Sequence, residues 1–187
     1  MPCAFILNGP PGVGKDTIAT EIIKHNSDIS HFMFKSALIT EVLKGRSITR
    51  EQWDANYQNR EWKETSNPLF GGMSPRQLLI HTSEDIIKPK YGNDYFGIKL
   101  AESIGGCKIA LITDGGFNSE VEPLIRAGIN VVVIRLIRDG FDFSNDSRDY
   151  ITAGNIHVVT LRNGEIDEAV RLVENIIART ELSQQNP

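Results

Sequence analysis

The segment GPPGVGKDT, residues 9–17, carries the densest chemistry in the chain: Gly9, four intervening residues, then Gly14 and Lys15. Glycines at this spacing let consecutive backbone N–H groups converge on phosphate oxygens, and the start of a following helix adds positive potential. Gly12, Val13, Gly14, Lys15, Asp16 and Thr17 are thus candidate contacts for a triphosphate, with Lys15 against its β- and γ-phosphates. The segment departs from the usual phosphate-loop pattern at one place. Asp16 stands where a Ser or Thr ordinarily follows the lysine, and Thr17 comes one position later. A magnesium ion would meet Asp16 or Thr17 through water rather than through the usual hydroxyl.

A further carboxylate falls where such chemistry needs one. The run ending Ile112-Thr113-Asp114 reads as a buried strand, and ligands of open parallel sheets bind beyond the carboxyl ends of strands. Asp114 can orient metal-bound water there; equally, it can form a turn ahead of Gly115-Gly116. Glu120 suits a helix start electrostatically in either case. His81 and His157 lack Cys, Asp or Glu neighbours at ligand spacing and read as structural.

To hold these residues the chain must alternate strands with helices. Val-, Ile- and Leu-rich runs at 3–7, 108–112, 130–136 and 156–161 suit strands buried on both faces of a parallel sheet, with a further strand at 31–34. Helices are expected over 16–25, 119–127 and 165–179; in the last, Ile166, Val170, Val173 and Ile177 share one face. The alternation predicts an α/β fold with right-handed crossovers. Residues 36–105 break the rhythm as a helical insertion, in which Thr49-Arg50-Glu51-Gln52 and Ser74-Pro75-Arg76-Gln77 have capping-box form. Between them, 67–72 is a loop by turn chemistry. The expected organisation is one domain, with a core of about 1–35 and 106–182, the insertion at about 36–105, an exposed mobile lid at about 138–154 and a frayed tail over 183–187.

Composition narrows the class. The 187 residues suit one domain, and 20 basic against 24 acidic side chains give a net charge of −4. A duplex nucleic acid partner would need a basic face instead. Hydrophobic residues at 40% can build a core, but no apolar stretch reaches the roughly 18–20 residues that span a bilayer. Cys3 and Cys107 lie in apolar runs and predict free, buried thiols. With no secretory signal at the amino terminus, the expected compartment is a reducing cytoplasm.

A phosphate loop alone leaves motors, GTPases, ATPases and small-molecule kinases open. The small size, the absence of an N-K-x-D-like sequence and the arginine-bearing segment after 130–136 favour a kinase that closes over two anionic substrates. The loop GPPGVGKDT, together with NREWKE (59–64), MSPRQLLIHTSEDIIKPKYGNDYFG (73–97), ITDGGFNSE (112–120) and IHVVTLRNGEID (156–167), resembles the bacteriophage-type deoxynucleoside monophosphate kinases over nearly the whole chain. The resemblance implies a three-layer P-loop kinase fold whose five-stranded parallel sheet has the order 2-3-1-4-5, with a helical NMP-binding insertion and a short lid. It implies transfer of the ATP γ-phosphate to a deoxynucleoside monophosphate with Mg²⁺, in the cytoplasm of a host if phage-encoded, and suggests a homodimer. Many relatives carry an arginine two places after the strand-end Asp; here Gly116 occupies that place.

Carried over residue by residue, the resemblance assigns Gly12 to Thr17 to ATP, with Lys15 and Asp16 catalytic and Thr17 and Asp114 near the metal, through water. It assigns the acceptor's phosphate to Arg76, whose guanidinium offers a planar fork to paired oxygens, with Arg60 and Lys63 assisting from one helical face or serving only a solvated one. Tyr95 and Phe96 would cover the acceptor base or else be core, as would Trp62. Arg135, Arg138 and Arg148 would close on the transferring group or lie solvent-exposed on a polar loop, and Asn163-Gly164 would border the adenine or be a plain strand-to-helix turn. Two other readings share these residues: a small-molecule P-loop kinase for a coenzyme precursor or phosphorylated alcohol, and a non-catalytic nucleotide-binding module.

Overall fold

A computed structural model describes residues 2–144 and 146–185. In chain order the strands are β1 (Cys3–Asn8), β2 (Ile29–Phe32), β3 (Ile109–Ile112), β4 (Asn130–Arg138) and β5 (Asn155–Leu161). The helices are α1 (Lys15–His25), α2 (Lys35–Leu43), α3 (Arg50–Tyr57), α4 (Arg60–Glu64), α5 (Pro75–His81), α6 (Lys88–Tyr91), α7 (Tyr95–Ile104), α8 (Asn118–Arg126) and α9 (Ile166–Gln185). A single 3₁₀ turn, Pro68–Phe70, and a π-helical stretch, Thr82–Ile87, complete the described elements. The chain divides into two compact units, residues 1–34 with 97–187, and residues 35–96.

The first unit is built on one five-stranded, all-parallel sheet in the order β2-β3-β1-β4-β5. Its central strand β1 is buried along its whole length, which explains the unbroken apolar run. Successive side chains of β1 feed opposite faces. Phe5 and Leu7 pack with Ile18 and Ile22 of α1 and Val173 and Ile177 of α9, whereas Ala4 and Ile6 pack with Val121 and Leu124 of α8. Helices therefore cover both faces, giving three layers.

Leu100 and Ile104 of α7 belong to the second of these cores, so residues 97–105 go with the sheet rather than with the helical insertion that the sequence placed there. Helix α9 runs past 179 to Gln185, because its TELSQQ extension contains no helix breaker; the expected frayed tail is helical over 183–185, and 186–187 lie outside the described residues. The strand expected at 31–34 lies instead at Ile29–Phe32, where Ile29 supplies the buried anchor.

The segment expected to be an exposed, mobile lid has exposed residues along its described length, Asp139, Asp142, Ser147, Asp149 and Thr152 among them. Its Asp149 and Ile151 are hydrogen-bonded to the Asn8 side chain at the end of β1, and Ile151 is only 1% exposed. Asn145, within the expected lid, lies outside the described residues.

The second unit is helical. Both capping boxes form: Thr49 and Gln52 exchange side-chain and backbone hydrogen bonds at the start of α3, and Ser74 and Gln77 do so ahead of α5. Trp53, Phe70, Leu78 and Phe96 lie in its core. Among the described residues no helix is long and apolar enough to cross a membrane.

Candidate functional site

The loop 9–14 connects β1 to α1 at the carboxyl end of the central strand. Gly12 and Gly14 have φ of 77° and 116°, conformations that a side chain would strain. Gly14 precedes α1 with no side-chain cap, and the first hydrogen bond across the helix start runs from the Ile18 N–H to its carbonyl at 3.0 Å. The N–H groups of Lys15, Asp16 and Thr17 are first-turn donors with no acceptor further up the helix, the arrangement an anion requires.

Lys15 is buried, and its Nζ donates to the carbonyls of Gly9 at 2.5 Å and Pro10 at 2.8 Å. Burial draws this ammonium down from the usual 10.5 to about 8; the charge of Arg148 pushes the same way, while Asp16, Asp146 and Asp114 pull it back up. Asp16 and Thr17 are exposed at the helix start, and Val13 is packed into the core, so it can offer a phosphate only its backbone.

Beside the loop lies a cavity of about 330 Å³ lined by Val13, Gly14, Arg138, Arg162, Gly164 and Ile166. Its size and mixed lining suit a small-molecule ligand such as a planar base. Arg138 Nε donates to Asn163 Oδ1 at 2.7 Å, and its guanidinium stacks 4.7 Å from the centre of the Phe141 ring. The same ring lies against Gly12: a Cβ there would stand 3.1 Å from it. Arg138, Asn163 and the loop thus share one locality.

Arg135 is placed differently. Its Nε and Nη2 donate to the Ile151 carbonyl at 3.0 and 2.6 Å, and it lies over the Tyr150 ring, so it fastens the 146–151 segment. Arg148 is half-buried and makes a bidentate pair with Asp146, with Nε to Oδ1 at 2.8 Å and Nη2 to Oδ2 at 2.6 Å. That pair keeps the guanidinium charged. Asp114 accepts a hydrogen bond from the Phe34 N–H at 2.8 Å through Oδ1.

The described residues contain no group of three or more His, Cys, Asp or Glu that could hold a metal. An ion near Thr17 and Asp114 would draw most of its ligands from phosphate and water, a coordination that suits Mg²⁺.

In the helical unit, Arg76 is exposed at the start of α5 and pairs with Glu64, Nη1 to Oε1 at 3.1 Å. Arg60 is exposed on α4, whose first turn is capped by the Asn59 side chain; Lys63 lies over the Tyr57 ring at 4.6 Å. Phe96, expected to cover a ligand or be core, offers almost no surface to a ligand. It is 4% exposed and packed among Leu38, Trp53 and Leu78, because a helical neighbour of Tyr95 points elsewhere. Tyr95 donates its hydroxyl to Glu41 at 3.3 Å and stacks on Tyr91. Trp62 joins the aromatic cluster of Trp53, Tyr57 and Phe70. His81 pairs with Asp85 on the surface, and His157 lines a hollow of about 440 Å³ beside α9.

The sequence reading missed Asn8 and Asp146. Asn8 carried a signal, since it is the polar end of an otherwise apolar strand.

No family model matches this sequence, and no curated protein does. Among solved structures, a candidate kinase from Chloroflexus aurantiacus superimposes over 95% of this chain and 97% of its own, at 12% identity and a TM-score of 0.50. A protein called APE1195 does so over 95% of each chain, at 13% identity and a TM-score of 0.52. At such identities the likeness establishes the fold, a three-layer α/β arrangement with its parallel sheet ordered 2-3-1-4-5.

Proposed function

We propose that this chain is an ATP-dependent small-molecule kinase that phosphorylates a deoxynucleoside monophosphate to the diphosphate. One observation carries the reading: a buried lysine resting on loop carbonyls beside uncapped helix-start amides at the carboxyl end of the central strand. Such an ammonium gains a better partner when a phosphate arrives, and the amides supply the rest of the cradle.

In this reading Lys15 holds the β- and γ-phosphates, and the 330 Å³ cavity with Arg138 and Asn163 takes the base of ATP. Thr17 and Asp114 would hold Mg²⁺ through water, and the ion neutralises phosphate charge when bound. Arg76, aided by Arg60 and Lys63, binds the acceptor's phosphate. An acceptor oxygen forms the new bond to the γ-phosphorus as the bond to the bridging oxygen of ADP breaks. The acceptor is already anionic, so a strong general base is not required. Arg148 exchanges Asp146 for the transferring group and stabilises its charge, while Asp16 stays at the solvent side of the loop.

The resemblance noted from SPRQLL, SEDIIKP and DYFG supports the nucleotide acceptor. The withdrawal of Phe96 into the core favours a second reading, a small-molecule kinase with a different phosphorylated acceptor. Incubation with Mg·ATP and each deoxy- and ribonucleoside monophosphate, following ADP, tests the two. ADP formed with a deoxynucleoside monophosphate supports the first; ADP formed only with other phosphorylated acceptors supports the second.

A further inference from the structure

Asn8 ends β1 with no solvent exposure, yet its amide is fully engaged. Nδ2 donates to the carbonyls of Gly115 and Asp149, each at 3.2 Å, and Oδ1 accepts from the Ile151 N–H at 2.9 Å. Two carbonyls on one side and an N–H on the other fix which end is nitrogen. The bonds to Asp149 and Ile151 bracket Tyr150, as a residue of a parallel strand brackets its partner.

One side chain therefore joins three segments: the strand entering the phosphate loop, the turn after Asp114, and the stretch that carries Arg148. That stretch is tied again by the Asp149 N–H to the Gly116 carbonyl at 3.2 Å, and by Arg135 to Ile151. On this frame the stem of Arg148 lies across Gly116. A Cβ at Gly116 would stand 2.5 to 2.7 Å from Arg148 Cβ, Cγ and Cδ, closer than any side chain tolerates.

We propose that Asn8 is a positioning residue that sets where Arg148 stands beside the phosphate loop, and that Gly116 leaves the space in which the arginine's stem lies. The catalytic consequence rests on the kinase reading; the placement itself does not. A guanidinium stabilises a transferring phosphoryl group only if it is held in place beforehand, since misplacement by about 1 Å costs on the order of 10²-fold in rate.

Three variants test this: Asn8→Ser, Gly116→Ala and Arg148→Ala. Asn8→Ser and Gly116→Ala are each expected to lower kcat by on the order of 10²-fold while the Kd for Mg·ATP moves less than about threefold. Added to Arg148→Ala, Asn8→Ser is expected to cost less than about threefold more, because the group it positions is already gone. Losses that multiply, or a Gly116→Ala enzyme with wild-type kcat, would overturn the proposal.

A second readout needs no turnover. Limited trypsin digestion should open the Arg148–Asp149 bond about tenfold faster in Asn8→Ser than in wild type, with cleavage after the exposed Arg162 unchanged. Equal acceleration at both sites would mean general loosening and would contradict the positioning role. If wild type binds Mg·ATP but transfers to nothing, the kinase reading fails, and the digestion pattern still decides the placement. Should Asn8→Ser not fold, Gly116→Ala reaches the same arginine from its other side, and unchanged cleavage after Arg148 in that variant would sink the proposal.

Discussion

The Lys15 ammonium rests on the carbonyl of Gly9, Nζ to O at 2.5 Å, and on that of Pro10 at 2.8 Å. A buried cation is thereby satisfied by backbone dipoles, a weaker partnership than a phosphate would provide. Replacing it with Met keeps the length and apolar stem while removing the buried charge. Lys15→Met is expected to lose at least 10³-fold in turnover, with a melting temperature within a few degrees of wild type or above it, since relief of the buried charge's unfavourable environment, about 3 kcal/mol, offsets the loss of two hydrogen bonds. Turnover and a thermal melt measured on one preparation check both halves.

The same lysine gives a pH signature. Its folded value of about 8 lies below the unfolded 10.5, so between these values the unfolded chain holds a proton that the folded protein has released. For this group stability therefore rises with pH across that window, and its cost is present in full below about 8. Activity runs the other way, with kcat/KM for Mg·ATP falling above about pH 8 as the free protein loses the charge. A bound phosphate favours the charged form, so Mg·ATP binding near pH 8.5 should take up a fraction of a proton. Calorimetric titration in two buffers of different ionisation enthalpy measures that uptake; zero uptake would be evidence against Lys15 as the phosphate contact.

Arg76 and Glu64 are both well exposed, with side chains 60% and 48% accessible, so their ion pair adds less than about 1 kcal/mol. Arg76→Ala is accordingly expected to leave stability nearly unchanged. Losing its fork should raise the acceptor's KM on the order of 10- to 100-fold with the KM for ATP within about threefold. Equal losses on both substrates would count against this role.

Trp53 anchors the helical unit with no exposure, stacked on Tyr57 with ring centres 5.4 Å apart. Trp53→Ala should cost about 3–5 kcal/mol in denaturant unfolding. The indole N–H has no hydrogen-bond partner among the described residues, so Trp53→Phe forfeits volume without forfeiting a bond and should cost only about 1–2 kcal/mol.

The strands were legible because burial on both faces makes each a continuous apolar run, and the loop because its glycine and lysine spacing has a mechanical reason. Helix starts at Thr49 and Ser74 were legible from local capping chemistry alone. What escaped was long-range or side-specific. The bond between Asn8 and Ile151 spans 143 positions, and nothing local announces it. Phe96 and Tyr95 are adjacent and equally aromatic, and only the packing of α7 decides which one is core. The π-helical stretch at Thr82–Ile87 follows a good capping box with no breaker between them, so the sequence gives it no separate signature.

Transfer of the terminal phosphate itself tests the account most directly. Mg·ATP carrying a labelled γ-phosphate, incubated with the protein and a panel of deoxynucleoside monophosphates, should yield labelled deoxynucleoside diphosphate with wild type and almost none with Lys15→Met. Label that remains on ATP, or that appears only as free phosphate at the same rate with every acceptor and with none, would contradict the assignment.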